Sequence, residues 1–134
     1  TARRFDQAAT LHNGRPGARP NLVTMACAPL RLPLQLKLLE RHLHSSQTFI
    51  PMSCSRYLIC VAPSAFDGSP VLAELKAFLG GPGQAINYRA GVWHHPLVAL
   101  DAPAQFAMLV WEDGSPEDCL KFPLPAPIQV SERR

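Results

Sequence analysis

Two short segments of this 134-residue chain concentrate the side chains that can move a proton or hold a metal near neutral pH. The second in chain order is Asn87-Tyr88-Arg89-Ala90-Gly91-Val92-Trp93-His94-His95-Pro96-Leu97. It sets two aromatics with polar tips and two adjacent imidazoles around a glycine turn. Histidine is the side chain whose ordinary pKa lies nearest neutrality, and it is also the commonest metal ligand. In an extended segment His94 and His95 point to opposite faces, so only one of them faces a barrel interior. Trp93 reads equally well as a core anchor. The first segment is Glu40-Arg41-His42-Leu43-His44-Ser45-Ser46-Gln47-Thr48-Phe49-Ile50-Pro51. Its His42 and His44 have the two-residue spacing that shares one face of a strand, and Gln47 follows three positions later.

The elements that must position these residues are mostly strands. Fourteen prolines, against an average usage of about 5%, disfavour helix interiors and suit turns and strand edges. Strands are expected at 22–27, 34–38, 47–50, 56–62, 84–88, 97–100 and 105–111, with short apolar pieces at 120–122 and 128–130. His12 to Pro20 reads as a loop. Ser69 as N-cap, Pro70 at the first position and Gly80-Gly81 as the stop predict one helix. Val71, Leu72, Leu75, Phe78 and Leu79 would form its apolar face. About eight short strands and one helix predict a sandwich or barrel in one domain, residues 1–134.

Composition excludes several classes. The net charge of +3 comes from scattered arginines without a basic stripe, so no nucleic-acid partner is expected. No apolar run approaches the roughly 18 residues of a membrane span, and no signal peptide opens the chain. Cys27, Cys54, Cys60 and Cys119 lack zinc-ribbon spacing and read as reduced thiols of a cytoplasmic protein.

Taken together, His42, His44 and Gln47 followed by Gly91-Val92-Trp93-His94 resemble the two motifs of the cupin superfamily. The resemblance implies a mostly β, double-stranded β-helix (a jelly-roll barrel), here with one short helix near 70–79, and convergence of those four side chains inside it. Gln47 stands where a metal-binding cupin has Glu, and a neutral amide offers an oxygen but no charge. Glu40-Arg41-His42, Gln47 to Met52, Leu75-Lys76-Ala77-Phe78, Asn87-Tyr88 and Val92 to Leu97 more closely resemble the ureidoglycolate lyases, also named ureidoglycolate hydrolases. That family begins with some tens of residues more, which are expected to be absent here.

This resemblance implies a lyase cleaving ureidoglycolate to glyoxylate and urea in purine nitrogen catabolism, a homodimer, a small anionic urea-derivative substrate, and a divalent metal, nickel first, with no organic cofactor. The roles expected are His94, His42 and Tyr88 in catalysis; Arg41, Arg89, Gln47 and Trp93 in substrate binding; and His42, His94 and Gln47 as metal ligands. Glu40 and Arg41 can equally form a mutual or surface ion pair. Two alternatives stand beside the lyase: a non-catalytic cupin binding a small anion, and a hydrolase releasing ammonia from the same substrate.

Overall fold

The computed structural model describes residues 1–133. Ten strands form two antiparallel sheets: β1 (Arg19–Cys27), β2 (Leu34–Arg41), β3 (Gln47–Ser53), β4 (Arg56–Ala62), β5 (Lys76–Gly80), β6 (Ile86–Tyr88), β7 (Trp93–His94), β8 (Val98–Leu100), β9 (Ala104–Glu112) and β10 (Leu120–Val130). One sheet has the order β1-β9-β3-β6; the other runs β10-β2-β7-β4-β5, with β8 also on β4. Since β7 and β8 both pair with β4, they act as one interrupted strand. The two sheets then follow the two-Greek-key order of a jelly roll, the architecture of cupins, with β10 added outside β2.

The space between the sheets is filled by Phe49, Tyr57, Tyr88, Ala99, Ala104 and Phe106. Phe106 takes Tyr57 and Phe49 edge-on, at centroid distances of 5.1 and 6.5 Å. The other face of the larger sheet is also buried: Leu36, Leu58, Cys60, Val98 and Leu100 pack there, continuous with Leu39, Ala62 and Trp93 through shared contacts with Leu75 and Leu124. A strand covered on both faces reads as a near-continuous apolar run, which is why Arg56–Ala62 carries no alternation. Among the described residues no helix is long and apolar enough to cross a membrane.

The helix expected over 70–79 is not formed. Its N-terminal half makes a single 3-10 turn, Leu72–Glu74, and Lys76–Gly80 is strand β5, paired residue for residue with Val61 to Tyr57. Ser69 does not cap: its N–H and hydroxyl both donate to Asp67 Oδ1, at 3.0 and 2.6 Å. An apolar face at helical spacing gains about ten residues of marginally stable helix. The competing strand satisfies the open backbone edge of β4, whose unpaired polar groups would otherwise be left without partners.

Gly80 is the position that lets β5 close on the barrel. A Cβ there would lie 2.4 to 2.8 Å from three ring atoms of Tyr57, which is fully buried and donates its hydroxyl to the Gln84 carbonyl. Gly80→Ala is therefore expected to lower stability by about 1–3 kcal/mol, the usual cost of overpacking. Gly83→Ala, where a Cβ meets nothing within 4 Å, serves as the control, with denaturant midpoints as the measurement. Equal midpoints for the two variants would show that Tyr57 yields without strain.

Candidate active site

Strand β7 is only two residues long and lies between β2 and β4, with His94 directly opposite Glu40 on one side and Val61 on the other. Directly paired residues of an antiparallel ladder point to the same face, so Glu40 and His94 share the barrel interior. Their side chains approach to 3.7 Å between Glu40 Oε1 and His94 Nε2. His42 follows the end of β2, and its ring lies 5.5 Å from that of His94, tilted by 26°. On the opposite sheet, Gln47 of β3 pairs with Tyr88 of β6. The Tyr88 ring stacks on His94 at 4.0 Å with an interplanar angle of 8°. The three rings thus form a column, Tyr88 on His94 on His42, held from behind by the edge of Phe49 on Tyr88.

The hydrogen bonds of the two imidazoles decide which nitrogens are free. His42 Nδ1–H donates to the Asp118 carbonyl at 2.8 Å, and His94 Nδ1–H to the Val92 carbonyl at 3.1 Å. Each Nε2 is buried and has no hydrogen-bond partner among the described residues; the buried Gln47 Oε1 is likewise unpartnered. Histidines that bind metals through Nε2 characteristically anchor Nδ1–H on a carbonyl or carboxylate in this way. The ligand atoms of Glu40, His42 and His94 all lie within 4.8 Å of one another. Two imidazoles and one carboxylate with open positions suit a first-row divalent ion, so these residues fit the metal the resemblance implies. The acid lacking at Gln47 is supplied from Glu40 instead.

Burial shapes the protonation states. It pushes the His42 imidazole down, and repulsion from His94 adds to this against the bond to Asp118, so His42 is neutral near pH 7. For Glu40, burial pulls upward but is outweighed by His94 and by the Cys119 thiol, and its carboxyl stays ionised. Cys119 Sγ–H donates to Glu40 Oε2 at 3.5 Å, and burial raises this thiol to about 11. Burial also raises the Tyr88 phenol, which therefore keeps its proton and acts as a donor.

Not every expected residue joins this cluster. The expectation that His42 and His44 share a strand face is corrected: β2 ends at Arg41 and both lie in the turn that follows. There His44 swings outward to Glu117 at 3.2 Å. Arg41 and Trp93, each next to a cluster residue on its strand, face the other side of the sheet by alternation. The Arg41 guanidinium lies 4.6 Å over the Trp93 ring, and Trp93 Nε1–H donates to the Gly68 carbonyl. A cavity of ≈ 930 Å³ adjoins Arg41, Ser64, Lys76 and Gly91, with no cluster residue in its wall. Arg89 is exposed in the turn before β7, and Arg41 pairs with Ser64 Oγ rather than with Glu40. Glu40 and Cys119 were not expected in the site. The two-residue spacing of Glu40 and His42 was the available signal for the first; nothing local marks the second.

The family model described as ureidoglycolate lyase matches residues 1–131. The chain belongs to the ureidoglycolate lyase family. A ureidoglycolate lyase of Burkholderia cepacia is 41% identical over 125 residues, covering 92% of this chain and 68% of that one. One of Stutzerimonas stutzeri is 34% identical over 122 residues, 91% of this chain and 70% of that one. The Schizosaccharomyces pombe ureidoglycolate lyase is 42% identical over 101 residues, 72% of this chain and 53% of that protein. The matched residues span all ten strands of the described residues.

Proposed function

We propose that this ureidoglycolate lyase family chain cleaves ureidoglycolate to glyoxylate and urea at the Tyr88–His94–His42 column. The observation that carries the reading is the pair of buried, unpartnered Nε2 atoms of His42 and His94 beside an ionised carboxylate. The substrate is a carbinolamide. Its hydroxyl must lose a proton as the carbon becomes an aldehyde, the carbon–nitrogen bond breaks, and the departing urea nitrogen takes a proton. A neutral His42 accepts the hydroxyl proton at Nε2. The His42 imidazolium so formed then returns that proton to the departing nitrogen, with His94 Nε2 beside it to relay the transfer. General acid–base help of this kind is worth typically 10²–10⁴-fold.

Tyr88 and Gln47 orient the substrate. The phenol, protonated in its buried position, donates to the carbinol oxygen or the carboxylate, and the Gln47 amide oxygen accepts from the urea N–H. With a divalent ion held by Glu40, His42 and His94, nickel being the first to test and Gln47 adjacent, the same Nε2 atoms would be ligands and no longer proton carriers. When bound, such an ion supplies Lewis-acid chemistry that acidifies the hydroxyl.

Product analysis on the purified protein tests the reading. Urea and glyoxylate are expected in equal amounts. Ammonia in place of urea would identify the hydrolase, and no turnover of a substrate that binds would identify a non-catalytic cupin.

A further inference from the structure

Arg15 lies far from the cluster in sequence and does not touch the ring column, yet it joins the two loops that hold His42. Its main chain belongs to the loop gripping the turn between β2 and β3. There Gly14 N–H donates to the His44 carbonyl at 2.7 Å, and Ser46 N–H to the His12 carbonyl at 3.1 Å. Its guanidinium reaches the loop between β9 and β10. Nη2 contacts Asp118 Oδ1 at 2.6 Å, and Nη1 contacts Asp113 Oδ1 at 2.9 Å and Ser115 Oγ at 3.2 Å. The Arg15 side chain is only 14% exposed, as is that of Asp118.

Asp118 is the hinge of this arrangement. Its side chain accepts the N–H groups of Asp113 and Gly114, at 3.0 and 2.8 Å, which ties the loop back on itself. Its backbone carbonyl is the acceptor for His42 Nδ1–H. Without the cation, the Asp113 and Asp118 carboxylates face each other uncompensated and repel. That repulsion would act on the same loop whose Asp118 carbonyl accepts from His42 Nδ1–H.

We infer that Arg15 is a positioning residue for His42, acting through Asp118 to keep the imidazole in its Nδ1–H form with Nε2 free in the site. This rests on the proposed role of His42 Nε2, but its test needs neither substrate nor turnover. Two-bond proton–nitrogen correlation spectra of the metal-free protein, above the imidazole titration range, report which ring nitrogen of His42 carries the proton. The wild type is expected to show the Nδ1–H form, and Arg15→Ala a mixture of both tautomers with nickel affinity lowered about 10–100-fold, the usual loss when an outer-shell partner goes. Arg15→Lys, which restores the charge without the two-pronged fork, is expected to recover part of both. Arg56→Ala loses ion pairs to Asp101 and Glu132 at a distance from the site and should leave the His42 signals unchanged. A folded Arg15→Ala protein with the wild-type ring pattern and nickel affinity overturns the inference. If Arg15→Ala does not fold, Arg15→Lys and Asp118→Asn give the same reading, and an unaltered His42 tautomer in both overturns it equally.

Discussion

His94→Gln is expected to lower kcat by at least about 10²-fold, the lower range for losing a general acid–base group, while His95→Gln stays within a few-fold of wild type. The two histidines are neighbours in sequence but not in environment. His94 is 1% exposed, stacked on Tyr88 and facing Glu40. His95 points the other way; its N–H continues the backbone pairing by donating to the Cys60 carbonyl, and its Nδ1 lies on the Pro96 carbonyl. Gln approximates the volume of His, and His94 Nε2 has no partner to lose. The stability cost of His94→Gln should therefore stay near 1 kcal/mol, typical of point substitutions. Steady-state kinetics together with thermal unfolding separate these effects. A mild His94→Gln and an inactive His95→Gln would place the working imidazole on the other side of β7.

Nickel(II) in excess is expected to raise the melting temperature of the metal-free protein by roughly 10 °C. Binding to the folded state alone stabilises by about 2.7 kcal/mol when the free ion is at 100 times its Kd. For a chain of this length each kcal/mol moves Tm by about 4 °C. His42→Gln and His94→Gln should each remove most of that shift, since each deletes one of two nitrogen ligands. Glu40→Gln should weaken it by removing the only carboxylate of the cluster. Scanning calorimetry at fixed protein concentration measures all four. A shift that survives both histidine substitutions would put the ion elsewhere.

Strand β4 and the paired runs at β2, β3 and β9 were legible in the chain because burial on one or both faces leaves a period-two or continuous apolar signature. Strands β5 and β7 were not. Lys76–Gly80 has a helix-like spacing of apolar residues, and its strand state comes from pairing with Tyr57 to Val61, a partner that local sequence does not reveal. Trp93–His94 is too short to carry any periodicity.

The site divides along the same line. Residue types marked His42, His44, His94, His95 and Tyr88 as candidates for proton or metal chemistry, the family resemblance added Arg41, Arg89, Gln47 and Trp93, and alternation predicted that His94 and His95 point to opposite faces. Which partner each one meets was decided by the tertiary structure. Registry across β2 and β7 puts Glu40 rather than Arg41 opposite His94, and the ending of β2 at Arg41 releases His44 to Glu117. The return of the chain after β9 brings the Asp118 carbonyl and the Cys119 thiol to His42 and Glu40. Spacing along a chain specifies a face, but only strand pairing, set by contacts between residues about 50 to 80 positions apart, specifies what that face looks upon.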